Sequence, residues 1–140
     1  MADVFVYTDG GARGNPGPAA IGVYIENGSG QPLFLSGKKI GETTNNIAEY
    51  TAILEAYNWL IVNKNLLDAD AKIHFYMDSL LAYSHISRLY KIKNENLRQL
   101  VLEIWEKEKN LGIPVFYNHV RREGNKKADL LVNQALDNLI

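Results

Sequence analysis

The spacing of hydrophobic residues changes at Asn46, from short runs typical of strands to the three- or four-residue spacing of a helix. This change limits which elements the fold can contain. Earlier runs rich in β-branched and aromatic residues predict three strands, at residues 4–8, 20–26 and 33–40. The turn-forming residues 27–30 predict a hairpin between the second and third strands. After the change, apolar residues recur every three or four positions as far as Leu60, which predicts an amphipathic helix. The chain is therefore predicted to begin as an antiparallel three-stranded meander and to continue into a helix.

The rest of the chain alternates between these two patterns. Two further strands are predicted at residues 72–77 and 113–119. Three further helices are predicted at residues 79 to about 89, 95–110 and 126 to about 139. The order βββαβααβα predicts an α/β fold with a mixed sheet, in which helical crossovers make strands one, four and five parallel. No repeat or linker divides the sequence, so we expect one domain over residues 1–140.

The composition limits the chemistry that is available. The 140 residues include no cysteine, which excludes disulfides, thiolate nucleophiles and cysteine metal sites. A metal ion would therefore be bound by oxygen or imidazole, which favours Mg²⁺ or Mn²⁺. The net charge of −1 neither favours nor excludes a nucleic-acid partner, because a local basic patch can bind one. Because we find no signal-like or membrane-spanning apolar stretch, we expect a cytoplasmic protein with no membrane partner.

Four acidic residues stand where predicted elements begin or end. Asp9 follows the first strand and Asp78 follows the fourth, so parallel pairing of these strands would place both carboxylates at one sheet edge. Glu49 heads the apolar stripe of the first helix, and Asp129 heads that of the last helix. Both side chains should therefore face the sheet rather than solvent.

Each acid also has an ordinary structural explanation. Asp78 could cap the helix that follows it, and the spacing of Asn46 and Glu49 fits a capping box. Asp129 could stabilise a helix dipole, and Asp9 could belong to a turn. Four independent roles of this kind do not require the side chains to converge, and clustered carboxylates repel one another unless a cation lies among them. The residues alone therefore predict an acidic two-metal phosphodiesterase.

Four segments of the chain resemble motifs of the type 1 ribonuclease H family, in the family's order. They are residues 7–18 (YTDGGARGNPGP), residues 43–50 (TTNNIAEY), Asp78 with Ser79, and His119 followed by residues 125–129 (NKKAD). The resemblance extends over nearly the whole chain and implies a five-stranded sheet in the order 3-2-1-4-5. It also implies an endonuclease that hydrolyses the RNA strand of RNA/DNA hybrids and leaves 5′-phosphate and 3′-hydroxyl ends. The implied cofactor is Mg²⁺ or Mn²⁺, with two ions per site in the substrate complex.

The resemblance implies a role for each member of the acidic group. Asp9 would bridge both metal ions, and Asp129 would join it on the ion that activates the attacking water. Glu49 and Asp78 would complete the ion beside the leaving 3′ oxygen. His119, ten residues before Asp129, would assist water activation or product release. The ordinary alternative for this histidine is a surface imidazole at a strand end.

The resemblance also implies how the substrate is recognised. A hybrid-specific nuclease must distinguish the 2′ hydroxyls of one strand from the deoxyribose of the other. Backbone amides of the first motif would approach a sugar, the motif asparagines would lie along the minor groove, and a threonine would hold a DNA phosphate. The predicted substrate-binding residues are Gly10, Gly11, Ala12, Asn15, Thr44, Asn45, Asn46 and Asn125.

The chain departs from the family pattern in two places. Leu80 stands where the family often has a glutamine that contacts RNA, which affects one substrate contact but not the metal site. The interval between Asp78 and Asp129 is too short for the extra basic helix of some members, for which residues 88–93 could partly substitute. We therefore expect weak, salt-sensitive substrate binding. We also expect the protein to be a monomer. The alternatives left open are a catalytically silent nucleic-acid-binding module, another nuclease of this fold, and additional hydrolysis of double-stranded RNA.

Overall fold

The computed structural model describes residues 3–140 and contains the predicted elements in the predicted order. The strands are β1 (Val4–Ala12), β2 (Gly17–Asn27), β3 (Pro32–Thr43), β4 (Ile73–Met77) and β5 (Val115–His119). The helices are α1 (Asn45–Val62), α2 (Leu80–Ile86), α3 (Glu95–Leu111) and α4 (Lys126–Leu136). All five strands form one mixed sheet in the order β3-β2-β1-β4-β5, with β1 antiparallel to β2 and parallel to β4. The predicted fold class and strand order are therefore confirmed.

The first strand is longer than predicted, and its extra length shapes the site. Pairing of β1 with β2 continues to Ala12, opposite Ala19, whereas β4 ends at Met77, opposite Thr8. The glycine-rich end of β1 has a turn-like composition but is held extended by this pairing. Asp9 therefore lies within β1 rather than after it, which corrects the prediction. Beyond Thr8, one side of β1 has no neighbouring strand, and a cleft opens there.

Two helices end earlier than predicted, for the same backbone reason. The second was expected to reach residue 89 but ends at Ile86, and Arg88 has a φ of 62°. The last was expected to reach residue 139 but ends at Leu136, and Asn138 has a φ of 59°. A residue in the left-handed region cannot continue a right-handed helix. With these bounds, no helix between residues 3 and 140 combines the length and apolarity needed to cross a membrane.

The sheet carries helices on both faces. Successive residues of a strand point to opposite faces, and the fully buried side chains of Val6, Ile21 and Phe75 all enter the main core beneath α1, α2 and α3. On the other face, α4 packs over β1, β2 and β3 with a smaller core that includes Ala20 and Val132. The first and last helices therefore approach β1 from opposite sides.

A chain of hydrogen bonds ties α3 to the main core. The hydroxyl of the fully buried Tyr57 pairs with that of Tyr117, which donates to the Glu108 carboxylate over 2.6 Å. Tyr117→Phe should lower the free energy of unfolding by about 1–2 kcal/mol, because it removes a hydrogen-bond partner from the buried Tyr57 hydroxyl and from the half-buried Glu108 carboxylate. Urea denaturation would measure this, with Tyr90→Phe as the control at an exposed tyrosine. Equal losses in both variants would contradict the role of the buried chain.

Candidate active site

Three acidic side chains meet beside the end of β4. Asp9 comes from β1, Glu49 from the start of α1, and Asp78 directly follows β4. Each offers one carboxylate oxygen, and these three oxygens lie within 4.8 Å of one another. The parallel register that pairs Thr8 with Met77 places the next residue of each strand side by side. The strand pairing therefore brings Asp9 and Asp78 together, and the helix supplies the third acid.

Glu49 reaches this group because α1 lies directly on β1 at Gly10. A Cβ atom built on Gly10 would lie 2.2 Å from the carbonyl carbon of Ala48 and 2.4 Å from the amide nitrogen of Glu49. Only a residue without a side chain allows two backbones to approach this closely. Gly10 therefore sets the depth of α1 on the sheet and holds the buried Glu49 beside Asp9.

Asp129 reaches the same cleft from the opposite face of the sheet. Gly22 pairs with Asp9 in the β1–β2 register, and a Cβ atom there would lie 2.2 Å from the carbonyl oxygen of Ala128. The last helix therefore touches the sheet one residue before Asp129. The half-buried Asp129 lines a cleft of about 530 Å³ together with the other three acids, although it lies outside the tightest group.

The electrostatics of the cleft favour a bound cation. Burial, with smaller contributions from the nearby charges of Asp78 and Asp129, raises the pKa of Asp9 to about 7, although hydrogen bonds with Glu49 and the Gly10 amide oppose the rise. Burial also raises the pKa of Glu49 well above its ordinary value, with Asp9 as the next cause. The Oε2 atom of Glu49 is buried without a hydrogen-bond partner in residues 3–140. A divalent cation would satisfy this oxygen and offset the repulsion, and an all-oxygen donor set suits Mg²⁺ or Mn²⁺.

The structural alternatives for Asp9 and Glu49 do not hold. Thr44 caps α1, because its Oγ1 atom accepts a hydrogen bond from the Ile47 amide over 3.2 Å. The capping box considered for Asn46 and Glu49 is therefore wrong, since Asn46 already lies within the helix. The turn considered for Asp9 is absent, because β1 continues past it.

The alternatives for the other two acids have different outcomes. Ser79 caps α2 by accepting a hydrogen bond from the Ala82 amide over 3.1 Å, so Asp78 is not the cap. Asp129 does lie in the first turn of α4. A carboxylate there is favourable for the helix dipole, so its structural and chemical roles are compatible.

Five of the eight predicted substrate-binding residues line the cleft, whereas Asn15, Thr44 and Asn125 do not. The amide of Asn45 donates to Asn15 Oδ1 over 2.9 Å, and Asn45 Oδ1 accepts from the Ala12 amide over 2.8 Å. The amide of Gly10 donates to Asp9 Oδ1 over 3.0 Å. Two of the three amides expected to face a sugar are therefore already bonded within the protein. Those that line the cleft are Gly10, Gly11, Ala12, Asn45 and Asn46.

Asn125 is buried and does not line the cleft. Its side chain is only 1% exposed, and its Nδ2 atom donates to the carbonyl oxygen of Thr8 over 2.8 Å. Burial raises the pKa of Asp78, and the side chains of Asn125 and Arg122 oppose that rise. The amide therefore bonds to groups beside the acids and leaves almost no surface open to a substrate. The substrate contact of Asn125 stays a prediction.

His119 lies near the cleft but does not line it. It is the last residue of β5, in register with Met77, and its exposed ring packs beside Tyr83 with 6.0 Å between ring centroids. The residue is absent from the cleft lining formed by the four acids. The imidazole therefore lies at the same edge of the sheet as Asp78, and its catalytic role stays a prediction.

Two arginines for which no role was predicted also line the cleft. Arg122 precedes Asn125 in a basic segment, and its charge opposes the rise in the pKa of Asp78. Arg13 also lines the cleft and forms an ion pair with Asp137 over 2.6 Å. Arg13 belongs to the first motif, and this membership could have identified it as a candidate site residue. Arg122 had no comparable spacing to mark it.

Comparisons of the sequence identify its relatives. A family model described as RNase H matches residues 1–137. A ribonuclease HI of Halobacterium salinarum is 34% identical over 140 residues, an alignment that covers 96% of this chain and 64% of the relative. A ribonuclease H of Ruthia magnifica subsp. Calyptogena magnifica is 29% identical, with 99% of each chain covered. The chain thus spans slightly less than two thirds of the halobacterial relative.

Comparisons of the structure agree. LC11-RNase H1, isolated from compost by a metagenomic approach, is 40% identical, with a TM-score of 0.93 and 99% of each chain covered. The same LC11-RNase H1 in complex with an RNA/DNA hybrid is 38% identical, with a TM-score of 0.86 over 97% of this chain and 98% of that one. Because the family model and the sheet of a solved member both match almost the whole length, this chain belongs to the RNase H family.

Proposed function

We infer that this protein is an endoribonuclease that hydrolyses the RNA strand of RNA/DNA hybrids with divalent metal ions. The observation that carries this inference is the group of three carboxylates whose oxygens lie within 4.8 Å, open to a cleft lined by asparagines. The hybrid-bound structure of LC11-RNase H1, which shares 38% of its residues with this chain, supports the class of substrate.

The carboxylates of Asp9, Glu49, Asp78 and Asp129 would hold the metal ions. Their oxygen donors suit Mg²⁺ or Mn²⁺, and four carboxylates suffice for two ions in the substrate complex. Divalent ions held there supply Lewis-acid chemistry, which offsets the negative charge that develops on the phosphate during displacement. The buried Glu49 oxygen that lacks a hydrogen-bond partner supports this assignment.

The protein itself contributes a framework that positions the carboxylates before the substrate arrives. The Gly10 amide holds Asp9 through a 3.0 Å hydrogen bond, and Asn125 holds the neighbouring Thr8 carbonyl. Groups that are already oriented need no reorganisation during the reaction, which lowers its barrier. The cleavage would break the bond to the 3′ oxygen and leave 5′-phosphate and 3′-hydroxyl ends.

A cleavage assay with labelled nucleic acids tests this function. We expect the RNA strand of a hybrid to be cut with Mg²⁺ or Mn²⁺, and no cutting with a chelator, single strands or duplex DNA. Absence of hybrid cleavage with both metals would contradict an enzyme, and binding without cleavage would favour the catalytically silent module. Equal cutting of duplex DNA would contradict the hybrid specificity. Duplex RNA in the same assay would decide whether it is a second substrate.

The surroundings of the site also support a monomeric protein. All four acids come from one chain, so no second copy is required to complete the group. We propose that the protein acts as a monomer in the cytoplasm. Light scattering of the purified protein would test the monomer, and a stable dimer would contradict it.

His119→Ala should lower kcat roughly a hundredfold or more while leaving measurable activity, since general acid–base assistance is one part of the catalysis. KM should change little, because the imidazole does not line the cleft. Steady-state hydrolysis of a hybrid would measure both constants. His74→Gln, on β4 and paired with Asp3, is the control and should retain normal turnover. An unchanged kcat in His119→Ala would contradict the catalytic role and favour the alternative of a surface imidazole at a strand end.

A further inference from the structure

A guanidinium group stands at the rim of the acidic cleft. Arg13 lines the cleft, and its Nη1 atom donates to Asp137 Oδ1 over 2.6 Å. The Nη2 atom faces Asn133 Oδ1 at 3.5 Å. The side chains of Arg13 and Asp137 are each 48% exposed. Solvent, and hence another anion, can therefore reach this ion pair.

The position of Asp137 is hard to explain as a stabilising feature. Asp137 is the C-cap of α4, where the helix dipole disfavours a carboxylate. An exposed ion pair adds little to stability, because water screens it and the long arginine side chain must be ordered. The Arg13–Asp137 pair therefore contributes little to the stability of the fold, and stability alone does not explain it.

The backbone at Arg13 is fixed, so only the side chain has to move. The Arg13 amide donates to the carbonyl oxygen of Pro18 over 2.8 Å, and the preceding Ala12 amide is held by Asn45. A guanidinium binds the two oxygens of a phosphodiester with the same fork geometry that it uses for a carboxylate. Exchange of Asp137 for a phosphate would therefore need a rotamer change and no movement of the chain.

We propose that Arg13 binds a backbone phosphate of the strand that lies in the cleft, and that Asp137 competes with this phosphate for the guanidinium. The inference rests on the proposed function, since it takes the nucleic-acid substrate as given. In the free protein Asp137 holds Arg13 at the rim of the cleft. Substrate binding replaces one anion with another, so Asp137 weakens the binding of every substrate that uses Arg13.

Hybrid binding can be measured without cleavage in protein that carries Asp9→Asn. Fluorescence anisotropy of a labelled RNA/DNA hybrid would be followed with Mg²⁺ at several salt concentrations. Arg13→Gln should weaken binding roughly tenfold and reduce the slope of log K against log salt by about 1. Asp137→Asn should tighten binding about twofold to fivefold. In protein that already carries Arg13→Gln, Asp137→Asn should have no effect, because the group for which it competes is gone.

Controls separate a phosphate contact from a structural ion pair. Lys109→Gln removes an exposed cation of α3 outside the cleft and should leave the affinity and the slope unchanged. A structural pair predicts that Arg13→Gln and Asp137→Asn weaken binding alike and lower the melting temperature alike. That result, or an Arg13→Gln protein that binds like its parent, would overturn the proposal. A parent that does not bind the hybrid would instead overturn the proposed function, and this inference with it.

Discussion

Asp9→Asn should lower kcat for hybrid cleavage roughly a thousandfold or more, because it removes the carboxylate that the other acids surround. An amide of the same size keeps the shape of the site but cannot balance the charge of bound metal ions. Single-turnover cleavage of a labelled hybrid in Mg²⁺ would measure the loss. A variant that retained a tenth of the normal rate would contradict the assignment of Asp9 to the metal site.

The same substitution should stabilise the metal-free protein at pH 8. Burial raises the pKa of Asp9 to about 7 in the folded state. The folded protein therefore holds a proton that the unfolded chain has already released, and its stability falls as the pH rises from the ordinary aspartate range through 7. Asparagine never ionises, so this loss disappears. The rise of the Asp9 pKa from 3.8 to about 7 sets an upper limit of roughly 4 kcal/mol on the gain at pH 8, or a rise of up to about 12 °C in Tm.

Asp70→Asn provides the matched control for both effects. Asp70 is exposed and precedes β4, whereas the acidic group lies beyond the other end of that strand. Its substitution should leave cleavage and melting temperature unchanged. Thermal unfolding with a chelator at pH 4 and pH 8 would separate the cases, since Asp9→Asn should gain stability only at pH 8. An equal gain at both pH values would show that the charge of Asp9 is not the cause.

The strands and helices were predictable because burial on one side leaves a periodic pattern in the sequence. Residues that alternate in β1 and β4 enter one core, and the stripe of α1 faces the sheet. Glu49 could be expected to face inward because it heads that stripe, and it is buried. The helical crossovers led us to expect strands one, four and five to be parallel, whereas the full order 3-2-1-4-5 was implied by the family resemblance. Local sequence patterns were sufficient for those strands and helices that bury only one face.

Local patterns failed where pairing or capping depends on partners elsewhere in the chain. Gly10-Gly11-Ala12 has the composition of a turn, but pairing with β2 holds it in β1. The first helix is capped by Thr44, although Asn46 with Glu49 has the spacing of a capping box. Composition states what a segment can adopt, and the neighbouring strand or helix selects among those conformations.

The least predictable contacts join residues that are distant in sequence and depend on how closely two backbones approach. Asn125 holds Thr8, and Arg13 holds Asp137, across more than a hundred residues in each case. Both contacts exist because α4 lies against the sheet at Gly22. The presence of a glycine in a strand does not indicate which other backbone segment packs against it. Gly10 is the corresponding contact on the other face, and its removal should therefore disturb the site more than its size suggests.

Gly10→Ala should lower the free energy of unfolding by about 3 kcal/mol or more and reduce kcat at least a hundredfold. The added Cβ atom would lie 2.2–2.4 Å from the backbone of Ala48 and Glu49. No flexible side chain stands there to move aside, so α1 itself must shift away from β1. A shift of about 1 Å carries Glu49 away from Asp9 and is enough for a large loss of rate.

Gly11→Ala separates this steric effect from the general effect of adding a methyl group to the strand. Its Cβ atom would meet only Val132 Cγ1, at 3.7 Å, which is ordinary van der Waals contact. Alanine also restricts the unfolded chain more than glycine does, so Gly11→Ala should be neutral or slightly stabilising. Urea denaturation of both variants would measure the difference in stability. Because Gly11 itself lines the cleft, hybrid cleavage by Gly10→Ala would be compared with that of the unsubstituted protein. If Gly10→Ala were as stable as Gly11→Ala and as active as the unsubstituted protein, close contact of α1 with β1 would not be what holds Glu49 in the site.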